Sequence, residues 1–276
     1  MEQYKRIAET LKSADAIIIG ASNGLSITEG LNLFASNREF YDLFGDFSRK
    51  YNFHNILEGC FYRYPDEKEK WAYWSRLIYH YTANYKGSPV MDSLKEIVKD
   101  KPYFIVTSNG EAHFEKAGFS KDSIFEIEGS WEHLQCSRAC HGTLYPATDI
   151  INKMAQSEQD GKIPESLVPY CPKCGAPMSV HIATDKFFIP NSSAQQRFNG
   201  FLEKYRNKRL VVLELGIGAR NQMIKAPLMS LVYSEPNSAY ITFNKGEIFI
   251  PEQIKEKSIG VDGLLSDIFA ELMKEF

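Results

Sequence analysis

The chain has 276 residues, 43% of them hydrophobic and 24% charged, with a formal net charge of −3. These proportions describe a folded protein large enough for one main core and a smaller appended one, and the interspersed charges give no electrostatic basis for binding nucleic acid or an anionic membrane. No apolar run is long enough to cross a bilayer, the opening residues lack the layout of a secretory signal, and the odd cysteine count suits a reducing compartment, so a cytoplasmic protein is expected.

In chain order, Tyr4, Ile7, Ala8 and Leu11 stand at helical spacing over residues 3–13, and residues 14–20 read as a buried strand ending in Gly20. The small polar run at 21–30 reads as a loop whose backbone a diphosphate can approach. Residues 38–86 are rich in aromatics, among them Trp71, Tyr73 and Trp74, and read as a helical insertion whose rings pack a core. A helix over 93–98 leads to a second strand at 102–107, a polar cluster at 107–113 and a short third strand at 124–127. Glu128, Gly129 and Ser130 follow, and then a loop-rich segment with six prolines and glycines at 146, 161, 164, 169, 172 and 177. Beyond it come a helix at 194–205, a strand at 209–215 closed by Gly216, Ile217 and Gly218, a helix from near Gln222, a strand at 239–244 and a final amphipathic helix from Val261.

Four of the five cysteines in the chain form two short pairs, Cys136 with Cys140 and Cys171 with Cys174. The spacings C-x3-C and C-x2-C can place four thiolates at the corners of a tetrahedron, which a closed structural zinc site requires. Pro172 and Gly175 shape a knuckle whose N–H groups can bond the sulfurs. A redox pair needs no second pair and normally opens a helix after a strand, so zinc is the expected occupant. His141 is a candidate substitute ligand, and Cys60, beside Phe61 and Tyr62, reads as a buried hydrophobe. With few apolar residues of its own, the cysteine segment is expected to draw its folding energy from the metal.

Strands alternating with helices describe an α/β fold, a doubly wound, Rossmann-like parallel sheet. The expected division is a nucleotide-binding domain from 1–37, 88–132 and 194–276, a helical insertion at 38–87 and a zinc-binding module at 133–193. Ligands of such sheets bind at the carboxyl ends of the strands. The polar clusters there, at 21–30, 107–113, 128–130, 216–221, 244–247 and 260–262, are the site candidates.

Taken together, these clusters resemble those of the sirtuins, NAD-dependent enzymes built as a Rossmann-like domain with an inserted zinc module and a helical insertion. Residues 21–26 with Gly30 resemble the family's T-G-A-G-x-S…S-G-I-P loop; Thr107, Ser108 and Asn109, with Ala117 and Gly118, resemble its T-Q-N-I-D…A-G motif; Glu128-Gly129-Ser130 stands in the place of H-G-S. Four departures accompany the matches. Glu128 replaces the deacylases' histidine, Ala35 after Phe34 replaces their loop arginine, residues 181–188 lack their acyl-lysine strand V-x-F-G-E, and residues 216–221 replace G-T-S. With the W-A-Y-W-S segment at 71–75, these departures resemble the macrodomain-linked microbial branch, the class M sirtuins. That branch implies protein mono-ADP-ribosylation, with a lipoyl-carrying glycine-cleavage H-like protein as acceptor and a macrodomain hydrolase acting on the same modification. The resemblance also implies one structural zinc on Cys136, Cys140, Cys171 and Cys174. It places NAD against Ala21, Ser22, Gly24, Ser26, Ser108, Asn109, Gly216, Gly218, Asn244, Val261 and Asp262.

Cleavage of the nicotinamide–ribose bond passes through an oxocarbenium-like state, which a nearby carboxylate stabilises and oriented hydroxyl partners position. Glu128 and Asn109 are the residue types for those two tasks, and both are expected to be catalytic. A histidine base would serve acyl transfer instead, so its replacement by an acid favours glycosyl transfer over deacylation. A lysine deacylase and a non-enzymatic NAD or ADP-ribose binding module are the alternatives. A zinc-dependent nucleic-acid binder is disfavoured, since the cysteine segment has no basic cluster.

Overall fold

The computed structural model describes residues 2–246 and 248–276; Met1, and Glu247 of the 244–247 cluster, lie outside the described residues. The strands are β1 (Ala16–Ala21), β2 (Tyr103–Thr107), β3 (Ile124–Glu126), β4 (Gly129–Cys136), β5 (Tyr145–Pro146), β6 (Met178–Ile182), β7 (Leu210–Leu215), β8 (Ala239–Asn244) and β9 (Ser258–Asp262). Six of them make one sheet in the order β3-β2-β1-β7-β8-β9, with parallel pairing throughout. β1 and β7 are buried at every position, as a parallel sheet covered on both faces demands. One face packs the helices Glu2–Ser13, Pro89–Val98 and Leu265–Leu272; the other packs Ser192–Lys204 and Gln222–Ser234. The order of strands reverses between β1 and β7, so a crevice opens there at their carboxyl ends.

The α/β doubly wound sheet is as expected, with several local differences. Residues 21–30 are not an open loop: Asn23–Thr28 forms a short helix with Ser22 at its N-terminal boundary. The helix expected over 93–98 begins four residues earlier at Pro89, because the Ser88 hydroxyl accepts from Met91 N at 3.1 Å and proline suits the first helical position. The insertion divides into Arg38–Tyr51, Ile56–Phe61 and Glu67–Ile78, whose side-chain caps are Asn37, Asn55 and Asp66, and its last turn widens into a π-helix at Tyr79–Ala83. β9 carries too much serine, glycine and aspartate to read as a strand, and the last helix starts at Leu265 rather than Val261. Gly260 is required within β9, since a Cβ there would lie 2.6 Å from Ile248 Cγ2.

A three-stranded antiparallel sheet, β5-β4-β6, continues from Gly129. The Glu128-Gly129-Ser130 cluster therefore leads directly into the central strand of the cysteine segment. Within the 181–188 stretch only His181 and Ile182 are extended, as the end of β6 paired with β4, and residues 183–188 form no strand. Apolar residues of the cysteine segment, including Leu134, Ile151, Met154 and Val180, share one core with Phe44, Trp71, Tyr73 and Trp74 of the insertion. Arg76 reinforces that junction, donating to both carboxylate oxygens of Asp46 (2.7 and 3.0 Å) and of Glu158 (2.7 and 3.0 Å). Among the described residues no helix is long and apolar enough to cross a membrane.

Candidate active site

A cleft of about 160 Å³ opens beside the carboxyl ends of β1 and β2, and Asn109 and Glu128 both line it. Its lining is polar at Ser108, Asn109, Glu111 and Glu128 and apolar at Leu33, Phe34, Phe61, Trp74, Trp131 and Ile182. Phe34 and Phe61 are exposed at 53% and 62%, so the apolar part of the lining extends to the surface.

Asn109 is buried, and its N–H donates to Thr107 Oγ1 at 3.0 Å. Its side-chain Nδ2 donates to Ser22 O at 3.1 Å, whereas its Oδ1 is buried with no hydrogen-bond partner. A buried acceptor left open is costly unless something outside the chain donates to it. Such an oxygen takes its donor from a water or from a ligand hydroxyl. Glu128 is half-buried, its carbonyl accepts from Ala183 N at 2.9 Å, and its carboxylate makes no hydrogen bond or ion pair among the described residues. Burial raises the carboxyl pKa above its ordinary 4.5. Gly129 next to it has φ +95° and touches β6 so closely that a Cβ would lie 2.2 Å from His181 O, which holds Glu128 at the corner where the two sheets meet.

The remaining sequence candidates fall into two groups. Ser22 and Ser108 sit together, the Ser108 hydroxyl donating to Ser22 Oγ at 3.0 Å, and Gly218 lies half-buried at the end of the β7 loop. The donors of Gly24 and Ser26 are occupied inside the protein: Gly24 N–H donates to Gly216 O at 3.0 Å and Ser26 Oγ to Glu111 Oε1 at 2.6 Å. Gly24 and Gly216 are needed for close approach, since a Cβ on either would come within 2.5 Å of the other's Cα. Ala21 is fully buried in β1, and Val261, within β9, is buried in the main core. Asn244 Nδ2 donates to Ile217 O at 3.3 Å, and Asp262 Oδ1 accepts from Gly246 N at 2.7 Å, so both brace the loops around the crevice.

Glu111, within the 107–113 cluster, is a cleft residue to which the sequence assigned no individual role. It is buried, accepts from Ser26, lies 3.9 Å from His113 Nδ1, and its carbonyl accepts from Thr82 Oγ1 at 3.0 Å in the π-helix. His113 stacks on Tyr85 with ring centroids 3.9 Å apart and bonds Tyr81 O at 2.7 Å, in keeping with a structural residue. The π-helix thereby joins the insertion to the loop that carries Asn109. The only sequence signal for this network was two polar residues close after a strand, which is common in any turn.

The four cysteines expected to bind zinc converge. Their sulfurs all lie within 4.8 Å of one another, with Cys136–Cys174 and Cys140–Cys171 each at 3.6 Å. Tetrahedral zinc with bonds of about 2.3 Å places its sulfurs about 3.8 Å apart, so the tetrad fits a structural ion. Arg138 N–H points at Cys136 Sγ, 3.4 Å away, as thiolate sites arrange. His141 Nδ1 lies 3.0 Å from Cys140 Sγ and its Nε2 is 2.8 Å from Tyr145 OH, beside the tetrad rather than within it. Because the rest of the segment packs on the insertion, the metal is expected to support chiefly the two knuckles. Cys171→Ser is therefore expected to reduce bound zinc to background by elemental analysis and to speed hydrogen exchange at 136–141 and 170–177, with the shared core still protected. Full zinc content in that variant contradicts the tetrad.

No protein-family profile matches the chain. A curated protein ADP-ribosyltransferase of Staphylococcus aureus (strain Mu50) is 34% identical over 286 aligned residues, covering 99% of this chain and 89% of that protein. The chain belongs to this ADP-ribosyltransferase family. A probable bifunctional ADP-ribose hydrolase/ADP-ribosyltransferase of Fusarium oxysporum f. sp. cubense is 28% identical across 76% of the chain, which spans 36% of that longer protein. Among solved structures, Sir2Tm bound to a propionylated peptide matches with a TM-score of 0.62 at 16% identity, covering 99% of this chain and 98% of that one. A Sir2 homologue mutant in complex with ADP-ribose matches with a TM-score of 0.62 at 12% identity over 98% of this chain and 94% of that one. These likenesses establish that this transferase family member has the sirtuin fold.

Proposed function

We propose that the chain cleaves the nicotinamide–ribose bond of NAD and transfers ADP-ribose to a protein acceptor. The observation that carries this reading is that Asn109, whose Oδ1 is buried without a partner, and Glu128, whose carboxylate is half-buried and unpaired among the described residues, line one cleft of a sirtuin fold. The open Asn109 oxygen is suited to receive a ribose hydroxyl and hold the sugar in a reactive orientation. The ionised Glu128 carboxylate is suited to stabilise positive charge that develops on the ribose carbon as nicotinamide leaves. Partial burial of Glu128 strengthens that interaction relative to water. Ser22, Ser108 and Gly218 then border the dinucleotide, with Asn244 and Asp262 shaping its far end.

The acceptor we propose is a lipoyl-carrying protein of the glycine-cleavage H type, reached through the wall formed by Phe34, Phe61 and Trp131, which suits a long apolar arm better than a charged side chain. A macrodomain hydrolase acting on the same modification is the proposed partner; the name of the Fusarium relative pairs the two activities in one protein. The test combines labelled NAD with lipoylated and unlipoylated carrier and follows free nicotinamide, labelled carrier and, separately, removal of acyl groups from lysine peptides. Label on the lipoylated carrier is the expected result. Deacylation without label transfer overturns the transferase reading, and equal labelling of both carriers overturns the acceptor.

Glu128 also sets a pH dependence. Its ionised form is the useful one, and burial raises its pKa above 4.5, so the turnover rate is expected to fall as pH decreases through a midpoint above that value. Glu128→Gln is expected to lower turnover by about 10²-fold or more and to flatten the acidic limb. An unchanged acidic limb in that variant assigns the ionisation elsewhere.

A further inference from the structure

Asn221 stands immediately before the helix Gln222–Ser234, where an asparagine ordinarily turns its side-chain oxygen back onto the helix's first free N–H groups. Here the side chain makes no capping bond. Its amide Nδ2 donates instead to Ser22 Oγ at 3.0 Å and to Ser108 Oγ at 2.9 Å, and Ser108 Oγ donates to Ser22 Oγ at 3.0 Å. Three side chains from the loops after β1, β2 and β7 thus close one triangle at the crevice. The two hydrogens of the amide match the two serine acceptors. A local rule broken in favour of a long-range contact is what a functional constraint produces.

The triangle holds both supports of Asn109. Ser108 precedes it in the chain, and Ser22 supplies the carbonyl on which the Asn109 amide rests, 3.1 Å away. Fixing Ser22 against Ser108 therefore fixes the Asn109 side chain, whose Oδ1 is buried without a partner, in the lining of the cleft. We infer that Asn221 is a positioning residue that orients Asn109 by locking the β1 and β2 loops together. This inference rests on the transferase reading and adds to it a residue from the β7 side of the sheet.

The experiment measures nicotinamide release at saturating NAD and acceptor, with thermal unfolding recorded for each variant. Asn221→Leu keeps the volume and removes both bonds; its kcat is expected to drop about tenfold to a hundredfold, the scale for misplacing a reacting group. Asn221→Asp allows both serine hydroxyls to donate to a carboxylate, which bridges the two loops at the cost of the direct Ser108–Ser22 bond, and it is expected to recover most of the lost kcat. Its added charge is expected to appear as a raised KM for the anionic dinucleotide. Ser108→Ala removes a different corner and is expected to lower kcat without adding to the effect of Asn221→Leu. In an Asn109→Ala background, Asn221→Leu is expected to have no further effect on kcat. An undiminished kcat in both Asn221→Leu and Ser108→Ala, or an Asn221→Leu loss of equal size with and without Asn109, overturns the inference and leaves the transferase reading intact. Absence of nicotinamide release from the wild-type protein overturns both.

Discussion

Asn109→Ala is expected to reduce nicotinamide release and ADP-ribosyl transfer by about 10²–10³-fold, the range for losing one oriented polar group at a reacting centre. The stability of the protein is expected to change little. Asn109 gives one hydrogen bond to Ser22 O, but that carbonyl also accepts from Leu25 N at 2.9 Å and keeps a partner when the amide is removed. Against the lost bond, worth about 1 kcal/mol, stands relief of the buried and unpaired Oδ1, which burdens the folded state by about 1–3 kcal/mol. The two nearly offset, so an unfolding free energy within about 1 kcal/mol of wild type is anticipated. A residue that is nearly neutral for folding and decisive for turnover is placed for chemistry. Parallel kinetics and chemical denaturation check this: a large stability loss with a matching activity loss shows that the asparagine serves as a turn residue instead.

Lys225→Met is expected to destabilise the fold more than any other substitution considered. Lys225 and Glu214 have side chains only 1% and 0% exposed, and Nζ meets Glu214 Oε1 at 2.5 Å. Tyr240 OH and Thr242 Oγ1 donate to the same carboxylate at 2.5 and 3.0 Å, so its oxygens are satisfied by a set of groups from β8 and the helix Gln222–Ser234. Removing the lysine leaves a carboxylate inside the sheet without its counter-charge, a change that costs about 3–5 kcal/mol. In a chain of this size that corresponds to a fall in Tm on the order of 10 °C. Pairing it with Glu214→Leu removes the stranded charge and is expected to restore much of the loss, since apolar replacement of a buried pair is often close to neutral. Calorimetry on the single and double variants decides the matter; a loss under about 1 kcal/mol in Lys225→Met, or no recovery in the double variant, contradicts this account.

The buried pair also illustrates what one-dimensional patterning conveys. In the sequence Glu214 sits inside the run Leu210–Leu215, which reads as a buried strand despite the acid, and nothing local announces that Lys225 eleven residues later will reach it. Ser26 and Gly24 show the same effect at the crevice. Their residue types suit an anion, yet the fold brings Glu111 and Gly216 against them and uses their donors internally. β9 was hidden for a different reason: an edge strand containing Ser258, Gly260 and Asp262 lacks the β-branched density by which strands are recognised.

The sequence by itself determined the parallel α/β sheet and the zinc tetrad. Buried strands are continuous apolar runs, helices repeat every 3.6 residues, and paired cysteines with two or three residues between them mark metal knuckles, all of which are local signals. It also marked Asn109 and Glu128 as residues that follow strands β2 and β3. Only the tertiary structure decided that these two share a cleft, that Asn221 ties Ser22 to Ser108, and that the cysteine segment packs on the insertion helices. Those contacts join residues as far as 199 positions apart, and hydrogen bonds reach about 3 Å. Whether such distant groups meet depends on the packing of the whole sheet.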